Sequence, residues 1–131
     1  MRELPFFVYG TLRPGEYNHD RFLLGRTSSE EPAGLPGALL YDGPGYPYAV
    51  PGDGRIAGDL VTAAPGAYGE LLFVLDHLEG PAGYERAERE VVRERDGAVV
   101  RAWVWFAAPG TPHGPLIRGG DWRARGGPRT P

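Results

Sequence analysis

Apolar residues recur at helical spacing in one stretch of the chain, residues 67–79. The members of this apolar face are Leu71, Leu72, Val74, Leu75 and Leu78. Their positions fit the 3.6-residue period of a helix, so the stretch is predicted to be amphipathic and to bury this face. Gly80 and Pro81 follow directly, and both residues favour the end of a helix.

Elsewhere the apolar positions form short runs, which predict strands. The predicted strands are 4–9, 38–41, 56–61, 85–94 and 99–107. The last two are separated by Asp96-Gly97, a residue pair typical of a hairpin turn. The pattern therefore predicts a single α+β domain over residues 1–131, in which strands dominate.

Between these runs the chain is polar or rich in Pro and Gly. Residues 28–36 are predicted to be loop, and residues 46–48 and 51–54 to belong to a turn-rich segment between two strands. Residues 18–24 are predicted to form a short helix. Residues 124–131 are expected to be a flexible tail. The apolar residues expected to anchor the C-terminal region are Leu116, Ile117 and Trp122.

The amino-acid composition excludes several kinds of catalytic and binding chemistry. The chain has no Cys, and its 14 Lys and Arg residues are all Arg. Thiolate catalysis, sulfur-ligated zinc, Schiff bases and Walker-type phosphate binding are therefore excluded. His19, His77 and His113 are far apart and have no metal-ligand spacing. The net charge of −3, without a basic block or a long apolar run, predicts a cytoplasmic protein that binds neither nucleic acid nor membrane.

The segment 9–15 follows the first predicted strand and is a candidate binding loop. A glycine turn after a strand leaves backbone N–H groups that can bind a carboxylate or an oxyanion. Gly10 would let a ligand approach the main chain closely. The same residues also fit a simple tight turn with Tyr9 in the core, so both interpretations stay open at this point.

A second candidate is Glu79, at the end of the predicted helix. Exposed carbonyl groups there disfavour a carboxylate by roughly 0.3–1 kcal/mol, and natural sequences tend to break such local rules at functional sites. Glu79 also borders the apolar face, where partial desolvation would raise its pKa toward that of a general base. A solvated glutamate at a helix end is the alternative interpretation. Asp76 and His77 fall toward the polar face and are expected to be surface residues or structural hydrogen-bonding groups.

Short motifs occur in a fixed order along the chain. They are Tyr9-Gly10-Thr11-Leu12 with Gly15, Asn18-His19, Tyr46-Pro47, Val50-Pro51-Gly52, Ile56-Ala57-Gly58-Asp59-Leu60, Leu75-Asp76 with Glu79-Gly80, Tyr84 with Arg86, and Ile117 with Gly120-Asp121-Trp122. In this order, over residues 6–123, the motifs resemble the signatures of gamma-glutamylcyclotransferase-like proteins. One motif alone would be a weak signal, but the ordered set is specific.

The resemblance implies a gamma-glutamylcyclotransferase-like fold, with a curved mixed sheet or partly closed barrel flanked by a few helices. It also implies an enzyme that acts on a small gamma-glutamyl amide. In this reaction the alpha-amine attacks the gamma-carbonyl of the same glutamyl group, which releases an amine and closes 5-oxoproline. The resemblance implies no cofactor and no metal, and a monomer or homodimer is expected.

The resemblance also implies roles for particular residues. Glu79 would be the catalytic general base. The residues implied to bind the substrate are Tyr9, Gly10, Thr11, Leu12 and Tyr84. Arg86 fits either a carboxylate ligand or a cross-strand ion pair. Asp59 stands where Glu is usual in the family and is expected to be structural.

Two departures from the family leave a second function open. Many members carry Tyr on the strand that here contains Trp103 and Trp105, and some carry a substrate-contacting Tyr near His113. The alternative is a non-catalytic module that binds a small ligand or a protein on the same fold, because fold alone does not fix function. An exposed Glu79 on a convex surface would favour the module.

Overall fold

The computed structural model describes residues 3–10, 12–16, 19, 23, 25–43, 47–79, 84–108 and 110–122, and for Leu78 and Glu79 it describes the backbone only. Its elements in chain order are β1 (Phe6–Val8), β2 (Thr27–Tyr41), β3 (Tyr48–Ala63), α1 (Tyr68–Glu79), β4 (Tyr84–Arg93) and β5 (Val99–Ala107). This order confirms the predicted helix and the predicted C-terminal hairpin, which turns at Gly97 with a φ of 71°.

The strands form a closed barrel in the order β1-β3-β2-β4-β5. Two long antiparallel hairpins, β2–β3 and β4–β5, supply most of it. On one side they meet through a short pairing of β2 with β4. On the other side β1 lies between them, antiparallel to β3 and parallel to β5, where Phe6 pairs with Trp103. The sheet is therefore mixed, and the predicted fold class is confirmed.

The core fills the barrel and the space beneath α1. All three residues of β1 are buried, and the Phe6 ring stacks on Tyr68 of the helix with 5.4 Å between ring centroids. Leu71 and Leu75 of the predicted apolar face are fully buried, whereas Phe73 on the opposite side is exposed. The helix therefore packs on the barrel through its apolar face, as expected from the spacing.

The prediction of a loop at residues 28–36 is wrong, because these residues belong to β2. The prolines that suggested a loop are accommodated by the pairing. Pro32, which has no N–H, uses its carbonyl to accept from the amide of Glu94 at 3.0 Å. Pro36 lies beside a register shift at Gly37, whose φ is 78°, and bulges are where strands tolerate proline.

The prediction of a turn at residues 51–54 is also wrong, because they continue β3. Leu39 on the paired strand β2 explains the two glycines. A Cβ atom at Gly52 or at Gly54 would lie 2.6 Å from a methyl group of Leu39, so any other residue there would force this side chain to move. The glycines mark a close side-chain approach rather than a reversal of the chain.

The remaining structural predictions have mixed outcomes. Ile117 and Trp122 are buried anchors, as predicted, but Leu116 is exposed. The predicted helix at 18–24 lies mostly outside the described residues, and the predicted tail 124–131 lies wholly outside them. Among the described residues, no helix is long and apolar enough to cross a membrane.

Candidate functional site

The loop after β1 consists of two consecutive turns. The amide of Arg13 donates to the carbonyl of Gly10 at 3.1 Å, and the amide of Glu16 donates to the carbonyl of Arg13 at 2.9 Å. Gly15 has a φ of 90°, a conformation that glycine adopts without strain. Among the described residues, the amides of Gly10 and Leu12 have no backbone acceptor outside the sheet. A glycine turn of this kind can offer main-chain donors to an anion.

Gly10 packs directly against Pro47, just before β3. A Cβ atom at position 10 would lie 2.7 Å from Cδ of Pro47, so glycine is required for this contact. The hydroxyl of Tyr84, the first residue of β4, donates a short hydrogen bond to the carbonyl of Pro47. The Tyr84 ring also contacts Tyr48, with 5.5 Å between centroids. Two predicted binding residues, Gly10 and Tyr84, thus both contact Pro47.

Tyr9 connects the same loop to the end of α1. Its side chain is buried, and its hydroxyl donates to the backbone carbonyl of Trp105 in β5 at 2.5 Å. The indole Nε1 of Trp105 in turn donates to the carboxylate of Asp76 at 3.0 Å. Asp76 lies in the last turn of α1, so one tryptophan contacts both the loop residue and the helix end.

Asp76 also forms an ion pair with Arg86 of β4, with 3.1 Å between Nη1 and Oδ2. The Arg86 guanidinium lies 4.6 Å from the ring centre of Trp103, whose own Nε1 donates to the hydroxyl of Tyr68. Arg86 thus pairs across elements with an aspartate. The expectation that Asp76 is a structural hydrogen-bonding residue is confirmed by these contacts.

The other predicted site residues have these positions. Glu79 is the final residue of α1, about one turn beyond Asp76, and its side chain lies outside the described part of the structure. Thr11 is also outside the described residues. Leu12 is buried in the core, so its side chain is not available to a ligand.

The sequence reasoning missed three residues that shape the loop: Pro47, Arg13 and Asp121. Arg13 is only 7% exposed and reaches both Asp59 of β3 and Asp121 near the C-terminus. Asp59 is buried in this contact and is structural, as expected. The available signal was an arginine inside the glycine loop, together with an aspartate in each of two other motifs. The spacing gave no reason to join them.

Among the described residues, no group of three or more acidic or histidine side chains could hold a metal ion. The candidate groups that the structure describes are the loop backbone, the hydroxyls of Tyr9 and Tyr84, and the carboxylate of Asp76.

The family comparison agrees with this geometry. The model of the family described as gamma-glutamyl cyclotransferase, AIG2-like, matches residues 6–124. The chain therefore belongs to this family. No curated protein matches the sequence.

Solved structures share the fold at low sequence identity. An uncharacterized protein from Pyrococcus horikoshii is 27% identical, with a TM-score of 0.67 over 92% of this chain and 90% of that one. An AIG2-like protein from Mus musculus is 24% identical, with a TM-score of 0.66 over 83% of this chain and 80% of that one. A gamma-glutamyl cyclotransferase is 19% identical, with a TM-score of 0.60 over 87% and 70%. At these identities the last two likenesses concern the fold alone.

Proposed function

We propose that this protein cleaves a small gamma-glutamyl amide and releases 5-oxoproline. The alpha-amine of the glutamyl group attacks its own gamma-carbonyl. A new C–N bond closes the five-membered lactam, the original amide C–N bond breaks, and the leaving amine receives the proton that the attacking amine loses. Because the substrate carries its own nucleophile, the reaction needs no protein nucleophile and no cofactor.

The observation that carries the proposal is the double contact of Trp105. Its carbonyl accepts from Tyr9, which precedes the glycine loop, and its indole donates to Asp76 in the last turn of α1. Tyr9, which precedes the glycine loop, and the last turn of the helix that carries Glu79 therefore share Trp105 as a neighbour. This shared neighbour supports the proposal that the loop amides and Glu79 act on one small substrate.

Each part of the site has a task in this mechanism. The backbone amides of Gly10, Thr11 and Leu12 bind the glutamyl head group and stabilise the developing oxyanion. Glu79 removes a proton from the alpha-ammonium group, whose pKa is about 8 in a peptide-like setting, and returns it to the leaving amine. Tyr9 and Tyr84 wall the pocket and hold its shape. Folding the substrate into an attack geometry contributes up to roughly 7–11 kcal/mol in favourable cases.

The test is a 5-oxoproline assay of the purified protein against a panel of gamma-glutamyl amides and dipeptides. Glu79→Gln is expected to keep the fold and to lower kcat by about 10²- to 10⁴-fold, the usual contribution of a general base. Glu70→Gln is the matched control, because Glu70 lies in the first turn of the same helix with its side chain 61% exposed. The control is expected to keep wild-type turnover.

Three outcomes separate the possibilities. Turnover by wild type and by Glu70→Gln, with loss in Glu79→Gln, supports the proposal and ranks the leaving groups. Full activity of Glu79→Gln would show that another group is the base. Binding of 5-oxoproline or glutamate without turnover of any substrate would instead favour a non-catalytic binding module on the same fold.

A further inference from the structure

Arg13 is a buried cation with two partners from distant parts of the chain. Its Nε donates to Oδ2 of Asp59 at 2.7 Å, and its Nη1 donates to Oδ1 of Asp121 at 2.9 Å. The Arg13 and Asp59 side chains are almost fully buried, whereas the Asp121 side chain is 35% exposed. A desolvated guanidinium depends on such partners, because removing a charge from water is costly unless it is paired.

The backbone of Arg13 belongs to the loop that carries the proposed donors. Its amide closes the turn that begins at Gly10, and its carbonyl accepts from Glu16. The neighbouring Leu12 side chain is buried in the core. The loop is therefore held at one point by packing and at the next by the two carboxylates. Because the Arg13 amide donates to the Gly10 carbonyl, a displacement of the Arg13 backbone would also displace Gly10.

Asp121 lies on a segment that is itself docked on the barrel, here called the C-terminal strap (residues 114–122). The amide of Ile117 donates to the carbonyl of Leu40, and the amide of Ala57 donates to the carbonyl of Gly120, both at 2.8 Å. Gly120 has a φ of 69°, and a Cβ atom there would lie 2.0 Å from a carbonyl oxygen of β3. Glycine thus allows the close docking that presents the next residue, Asp121, to Arg13.

We propose that Arg13 and Asp121 are positioning residues, through which the C-terminal strap sets the geometry of the donor amides of Gly10 and Leu12. This inference rests on the proposed function, because it takes those amides to be the ligand donors. The planar guanidinium suits the task, since it donates to two carboxylates in two fixed directions, which the single ammonium of a lysine cannot reproduce.

The test compares Asp121→Ala, Arg13→Lys and the double variant with a matched control. Asp53→Ala is the control, because Asp53 is an exposed aspartate of β3. Hydrogen exchange of the peptide containing residues 10–12 is expected to speed up in Asp121→Ala and in Arg13→Lys. Peptides of the β4–β5 hairpin are expected to exchange as in wild type. The kcat/KM for the preferred substrate is expected to fall about tenfold, through both a higher KM and a lower kcat, because the loop amides bind the glutamyl head group and stabilise the developing oxyanion.

The double variant separates positioning from general weakening. If one hydrogen bond carries the effect, Asp121→Ala adds little once Arg13 is lysine, and the two changes are not additive. Additive effects, or faster exchange in all peptides alike, would overturn the proposal. So would wild-type exchange at residues 10–12 in both single variants.

Hydrogen exchange does not depend on turnover. If wild type released no 5-oxoproline, the proposed function would fail while loop-specific exchange could still support the link between Arg13 and the strap. If wild type is active and the loop exchanges normally in both variants, the positioning role alone fails.

Discussion

Replacing Gly10 with alanine places one methyl group where the loop meets Pro47. The new Cβ atom would lie 2.7 Å from Cδ and 2.8 Å from Cγ of the proline ring. Carbon atoms in favourable contact stay about 3.5–4.0 Å apart, so one of the two segments must move. Pro47 cannot turn aside by rotating its φ angle, which the ring fixes. It also accepts the hydroxyl of Tyr84, so its displacement strains that hydrogen bond.

The expected cost follows from these contacts. Forcing one extra carbon into a packed region destabilises a protein by about 1–3 kcal/mol. For a domain of this size that corresponds to a fall in Tm of roughly 4–10 °C. If the Gly10 amide binds the ligand carboxylate, losing that charged hydrogen bond weakens binding of 5-oxoproline by about 10- to 100-fold. Stability and affinity are therefore expected to fall together.

Thermal unfolding and isothermal titration calorimetry with 5-oxoproline measure the two effects. Gly69→Ala is the control, because no atom lies within 4 Å of a Cβ placed there and the residue is helical. Alanine at position 69 is expected to leave binding unchanged and to raise stability by up to about 1 kcal/mol. A Gly10→Ala variant that matched wild type in both measurements would refute the argument from Pro47.

Two further predictions concern carboxylates outside the loop. Asp76→Ala is expected to cost about 1–3 kcal/mol in denaturant unfolding, because the buried Trp105 indole N–H loses its acceptor. Asp76→Asn keeps an acceptor and loses only the partly exposed ion pair with Arg86, so its free energy of unfolding is expected to fall by less than about 1 kcal/mol. Equal losses in the two variants would contradict this ranking. The hydrogen bond from Arg93 lowers the pKa of Asp96 from 3.8 to about 2. The stability that this depressed pKa provides is complete above pH 3.8 and is lost as the pH falls through 2. The difference in the free energy of unfolding between wild type and Asp96→Asn is therefore expected to disappear between these two pH values.

The elements that the sequence predicted well are those whose signal is local. The apolar face of α1 repeats within the helix itself, and the β4–β5 hairpin has its turn residues between two apolar runs. The first half of β2 and residues 51–54 of β3 were missed for the opposite reason. Their Pro and Gly residues fit a strand only because of partners elsewhere, such as Leu39 beside Gly52. Local composition carries no information about such partners.

For the candidate site too, the sequence predicted the local features but not the contacts between distant residues. Tyr9, Gly10 and Tyr84 were predicted because ordered motifs contain them, and the structure brings Gly10 and Tyr84 to Pro47. The contact of Arg13 with Asp121 joins residues 108 positions apart, and no spacing rule connects them. The sequence could therefore name several residues of the site but not the contacts that hold the loop in place.

The pairing of β1 with β5 has a consequence for how the protein folds. Phe6 pairs with Trp103, so the barrel cannot close until β5 has been synthesised, although β1 is the first strand made. Contacts between such distant residues slow folding, because a long loop must be closed before they form. Until then the apolar β1 lacks this neighbour and is exposed to aggregation. The nascent chain is therefore expected to need protection during translation, and the hydrogen bond from Arg13 to Asp121 forms only after Asp121 has left the ribosome.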